Sequence, residues 1–111
     1  MTTVERLERG LERIKRGWCQ GSYARKSDGT KTVPWSDEAC EWCTASSLVM
    51  SSYFPEKDDY GPALRLVCDV AKVDYVGNIE HWNDEPGRTK AEVIAVFEGA
   101  IELAREEADG E

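Results

Sequence analysis

With 111 residues the chain has room for one hydrophobic core and not for two, and its 41% hydrophobic and 32% charged content excludes a disordered or low-complexity chain. The net charge of −8 excludes a general nucleic-acid binder, because neutralising phosphates needs a basic surface. No apolar run approaches the roughly 18 residues of a membrane span, and four cysteines are too few for a disulfide-dense secreted scaffold, so a cytoplasmic protein with reduced thiols is expected.

Thr2 and Glu5 form a capping-box pattern, and Val4, Leu7, Leu11, Ile14 and Trp18 follow at three- and four-residue spacing, which predicts an amphipathic helix near 3–16. Glu5 with Arg9, and Glu12 with Arg16, stand at the favourable i,i+4 orientation. Gly17 is placed to close this helix in a left-handed cap. From Trp18 to Trp35 the helical period is lost. Gly21, Gly29 and Pro34 punctuate a segment in which Ser27-Asp28-Gly29 separates two short β-prone runs, the mark of an ordered loop or a small hairpin.

Ser36 reads as an N-cap with Asp37 and Glu38 in a first turn. The spacing predicts a second helix near 37–53 with Ala39, Trp42, Cys43, Ser46, Val49, Met50 and Tyr53 facing inward, ending before Pro55. After a polar connector from Glu56 to Tyr60, Pro62 suits a first helical position, and Leu64, Val67, Cys68 and Ala71 define a third helix near 62–73. A second long loop covers Asp74 to Arg88. Thr89 and Glu92 then open a last helix near 90–105, with Val93, Val96, Phe97, Ala100, Ile101 and Ala104 inward. Beyond Ala104 carboxylates crowd the negative end of the helix dipole, so the acidic C-terminus is expected to fray.

The expected architecture is all-α with at most a minor β-hairpin: a compact four-helix single domain over 1–111, with two long ordered loops at 18–35 and 74–88. Long loops in a compact domain are usually functional, which makes these two the places to look.

Charge is unevenly spread. Residues 1–30 carry seven Lys/Arg against four Asp/Glu, and residues 31–111 carry seven against eighteen. The acidic part suits a basic protein partner, including a nucleic-acid-binding one, better than nucleic acid itself.

The cysteine pair Cys40 and Cys43, with Cys19 and either Cys68 or His81, is a conceivable zinc set. The spacings match no established zinc pattern, however, and buried inert thiols with no cofactor are the plainer reading. Redox use of the pair would need a βαβ context that is absent, and Glu41 between the two thiols disfavours a thiolate. His81 is the sole histidine, so a hydrolase or transferase would have to rest on His81 and Asp84, without a visible nucleophile.

The segment His81-Trp82-Asn83-Asp84-Glu85-Pro86-Gly87-Arg88-Thr89 concentrates an aromatic, an amide, carboxylates and a guanidinium before a helix start. Asx turns and capping could consume these groups; alternatively Arg88 and the helix N-terminus could hold a small anionic or nucleotide-like ligand, with Trp82 as a stacking face. If the loops converge, Trp18, Gln20, Tyr23 and Trp42 would join Trp82, Asn83, Asp84 and Arg88 in one ligand-binding pocket. Such Trp-rich loops could equally serve a homodimer.

The elements Gly17-Trp18-Cys19-Gln20-Gly21, Ala39-Cys40-Glu41-Trp42-Cys43-Thr44-Ala45 and Trp82-Asn83-Asp84, followed by Gly87-Arg88-Thr89 and Glu92-Val93, are similar to those of a family of small bacterial and bacteriophage proteins known as a domain of unknown function. The resemblance runs from about Leu7 to Ala104. It implies a short, soluble, helical protein of bacterial or phage origin and carries no activity with it. The functional expectation is a non-enzymatic binding or accessory protein that uses loops 18–35 and 74–88 on a host protein.

Overall fold

The computed structural model describes residues 1–50, 59–74 and 76–109. Four helices and a three-stranded antiparallel sheet make a mixed α/β domain, not an all-α one: α1 Thr3–Arg16, β1 Ala24–Lys26, β2 Lys31–Thr32, β3 Ala39–Trp42, α2 Gly61–Ala71, α3 Ile79–Asp84 and α4 Lys90–Asp109. The sheet order is β2-β1-β3.

Helix α1 forms as its sequence dictates. The Thr2 side chain accepts from the Glu5 amide and the Glu5 carboxylate accepts from the Thr2 amide, so two orphan N–H groups are satisfied reciprocally. Leu7 and Ile14 face inward against Val93, Phe97 and Ala100 of α4, Leu66 and Val67 of α2, and Leu48. Across the surface of the same pair of helices, Arg105 reaches Glu8 at 3.6 Å. Gly17 does not form the expected left-handed cap, because its backbone is extended at φ −177°. What requires glycine there is proximity: a Cβ would stand 2.1 Å from the Cys40 carbonyl oxygen.

The hairpin is present, with Ser27-Asp28-Gly29 at its tip. Asp28 accepts from the amide and the hydroxyl of Thr30, and Gly29 takes the positive φ of 87° that the turn needs. The second helix expected near 37–53 is replaced by β3 and a 3-10 turn at Ser46–Leu48; its end at Tyr53, and the connector from Glu56 to Asp58, fall outside the described residues.

Ala39 and Trp42 lie three apart and are both buried, with Ala24, in a small cluster beside the main core. That spacing imitates a helix because β3 is bulged. Arg25 opposes Glu41 while Lys26 opposes Ala39, so Cys40 is an extra residue and the strand's alternation restarts after it. The Ser36 hydroxyl accepts from the Glu38 amide in a local turn instead of capping a helix. Ser46 bonds to the Tyr23 carbonyl and Ser47 to the Thr44 carbonyl, at 2.8 Å for the latter, so these side chains tie down a turn where a helix would need the backbone to itself.

Pro62 lies in the first turn of α2, and Lys72 ends that helix in the left-handed region at φ 61°. The 74–88 segment is not a plain loop. A 3-10 turn at Val76–Asn78 leads into α3, which forms because Ile79 and Asn83, one turn apart, both face inward. Glu85 is extended, as the residue before Pro86 prefers, and this stops α3. Helix α4 continues beyond Ala104 to Asp109, past the end expected near 105. Arg, Glu and Ala are strong helix formers, and the unfavourable dipole contact is worth only a few tenths of a kcal/mol.

Candidate functional site: an interlocked loop pair beside a groove

The two segments singled out by sequence converge, and Asn83 is where they meet. Its side chain is 1% exposed. Its Oδ1 accepts from the Trp18 indole at 2.8 Å, the Thr44 amide at 2.9 Å and the Thr44 hydroxyl at 2.6 Å. Its Nδ2 donates to the Cys19 carbonyl at 3.1 Å and to Asp84 Oδ1 at 2.9 Å. One amide thus ties α3 to the segment between α1 and β1 and to the turn that follows β3.

The neighbouring polar groups complete the interlock. Gln20 Nε2 donates to the Asn83 and Glu85 carbonyls at 2.9 and 3.1 Å, and the Gly21 amide donates to Asp84 Oδ1 at 3.0 Å. Arg88 donates through Nε to the Trp82 carbonyl, pairs with Glu85 at 2.8 Å and Glu92 at 3.0 Å, and lies 4.1 Å from the Trp82 ring centroid. The Thr89 amide donates to Glu92, whose carboxyl is held below its ordinary range first by that bond and then by the Thr89 hydroxyl. Among the described residues no buried side-chain nitrogen or oxygen is left without a partner.

Trp18, Gln20, Trp82, Asn83, Asp84 and Arg88 therefore stand together, joined mainly to one another and to backbone. Trp42 stands apart. It is 3% exposed, gives its indole proton to the Pro34 carbonyl, and lies under the guanidinium groups of Arg13 and Arg16, 5.2 and 5.7 Å from its ring centroid. Arg16 thus covers an aromatic ring of the sheet.

Outside the interlock runs an open groove between the hairpin and the segment that ends in α3. One part, of about 350 Å³, is lined by Tyr23, Lys31, Thr32, Glu80, Asn83 and Asp84 among others. The adjoining part, of about 320 Å³, has Tyr23, Val33, Trp35, Tyr60, Val76 and Glu80 in its walls. Of the sequence candidates, Tyr23, Asn83 and Asp84 reach this groove, whereas Trp18, Gln20, Trp82 and Arg88 do not line it.

A model described as Family of unknown function (DUF6197) matches residues 1–103. The chain belongs to this family. No curated protein and no solved structure matches it.

In this DUF6197 chain the conceivable zinc set is not assembled. Cys40 sits at the β3 bulge, half-buried, His81 is exposed on α3, and no group of three or more His, Cys, Asp or Glu side chains is placed to share a metal ion among the described residues. Cys19 and Cys43 are buried neighbours. The Cys19 amide donates to the Trp42 carbonyl, and burial pushes the Cys19 thiol up to about 11, with Cys43 shifted in the same direction for the same reason. Cys68 is also pushed up by burial.

Sequence reasoning missed Lys31, Val33, Tyr60, Val76 and Glu80 as groove residues. One signal was available: Ile79 with Asn83, and Glu80 with Asp84, share the four-residue spacing of a helix, so a helical reading of 79–84 would have placed both carboxylates on one side.

Proposed function

We propose that this protein is a small, acidic, non-enzymatic binding or accessory protein, of the bacterial or phage kind, that uses segments 18–35 and 74–88 to hold a basic protein partner. The observation that carries the reading is the division of labour between interlock and groove. Arg88, the residue best suited to a small anionic or nucleotide-like ligand, is occupied by Glu85, Glu92 and the Trp82 carbonyl, while the open groove beside it presents the carboxylates of Glu80 and Asp84. A phosphate entering there would meet like charge, and a basic partner would meet opposite charge. The hydrolase reading has less support. Asp84 Oδ1 is already engaged by the Gly21 amide and Asn83, which suits a positioning role better than a general base.

Affinity capture from a bacterial or phage-infected extract tests the proposal, using the wild-type chain, Tyr23→Ala/Val76→Ala, and the distant Glu102→Ala as bait. The expected result is a protein retained by wild type and Glu102→Ala but lost with the double variant. Equal retention by all three would overturn it.

A further inference from the structure

We propose that the occupant of the groove is an extended segment of a partner protein carrying a bulky apolar side chain and, a few residues away, a lysine or arginine. This rests on the binding reading above and adds to it what is recognised. The first observation is where the exposed apolar surface lies. Five large apolar side chains are exposed among the described residues, and three of them, Tyr23, Val33 and Val76, at 58%, 36% and 43%, line the apolar part of this groove. Clustered exposed apolar and aromatic groups in a concave site bordered by polar residues are the ordinary character of a protein-recognition surface.

The second observation is charge. Glu80 lines both parts of the groove and so stands at their junction, and among the described residues its carboxylate makes no hydrogen bond or ion pair. Asp84 lies one helical turn farther along the polar part, with Oδ1 engaged by the Gly21 amide and Asn83. Among the described residues that line either part, Lys31, on the hairpin side, is the one cation, against the two carboxylates of Glu80 and Asp84.

Geometry gives the spacing. Val76 stands four residues before Glu80, through the 3-10 turn and into the first turn of α3, a rise of about 6–8 Å that an extended chain covers in roughly two residues. A side chain seated against Tyr23, Val33 and Val76 would therefore be followed within about two to four residues by a cation at Glu80.

A random peptide library displayed on phage, selected against the full chain, tests this. Synthetic peptides of the resulting consensus are then titrated by fluorescence polarisation against wild type, Glu80→Gln and Tyr23→Ala, at low and high salt. Expected is a consensus pairing an apolar residue with Lys or Arg, weakened roughly three- to fivefold by Glu80→Gln with a flatter salt dependence, and by about tenfold or more by Tyr23→Ala. An apolar consensus sensitive to Tyr23→Ala but indifferent to Glu80→Gln would overturn the basic element, and with it the basic character of the partner, and leave standing only a binding role through the apolar part of the groove. A consensus indifferent to both variants would remove the groove, and the functional reading with it. The absence of any consensus would overturn the peptide inference alone, because partner capture still judges the function.

Discussion

Asn83 shows how one side chain can carry a tertiary junction. Three donors converge on its Oδ1, and replacing it by alanine leaves the buried Thr44 amide and the half-buried Trp18 indole without their acceptor. Leaving buried donors unsatisfied costs about 1–3 kcal/mol each before relaxation, so Asn83→Ala should lose about 3 kcal/mol or more of stability in urea unfolding. Trp18→Phe removes a single donor and should cost about 1 kcal/mol. Equal losses in the two variants would contradict the hub. Cys19 makes a second residue-scale prediction. Burial raises its folded-state pKa to about 11 from an ordinary 9.0, so the folded state keeps the proton longer than the unfolded state does. The stabilisation is complete below about pH 9 and is lost as pH rises towards 11. Urea midpoints measured across that window should fall with pH in the wild type and fall less steeply in Cys19→Ala; parallel slopes would refute the assignment.

At the scale of elements, the junction of α1 with β3 depends on close backbone approach. A Cβ at Gly17 would meet the Cys40 carbonyl, which belongs to the bulged strand and cannot swing away as a side chain can. Gly17→Ala should therefore cost about 1–3 kcal/mol by steric displacement. Gly29→Ala, at φ 87° with no atom within 4 Å, should cost about 1–2 kcal/mol through backbone strain alone. Thermal unfolding separates the mechanisms, because asparagine, which tolerates the left-handed region, should partly rescue position 29 and not position 17. The same bulge explains why β3 was hidden in the sequence. Ala39 and Trp42 show helical spacing only because Cys40 interrupts the strand's alternation, and that interruption is set by pairing with β1, distant in sequence.

For the whole molecule, the sheet adds little apolar burial of its own. Its cluster is Ala24, Ala39 and Trp42, against a larger core shared by α1, α2 and α4. A three-stranded sheet of this size is marginal alone and must borrow stability from the helices. The borrowing runs through the Asn83 interlock and through Arg13 and Arg16 over Trp42. Tryptophan fluorescence and far-ultraviolet circular dichroism should accordingly report one coincident unfolding transition in the wild type, with the fluorescence transition moving earlier in Asn83→Ala. Separate transitions in the wild type would mean that the sheet and the helices fold independently.

Local physics was enough to read α1, α2, the start of α4 and the hairpin turn. Capping boxes at Thr2 and Thr89, Pro62 in a first turn, Asp28-Gly29, and apolar residues every three or four positions each act within a few residues of chain. The sequence likewise singled out two segments that converge, because polar side chains dense beside tryptophan need partners wherever they are buried. What it could not contain was which partner each group takes. Asn83 and Arg88 have the same chemistry whether they serve a ligand or the fold, and 65 residues separate Trp18 from Asn83. Only the tertiary structure decides that contest, since the geometry that brings Cys19, Thr44 and α3 together also engages Trp18, Asn83 and Arg88 within the fold and leaves Tyr23, Val76 and Glu80 facing the groove.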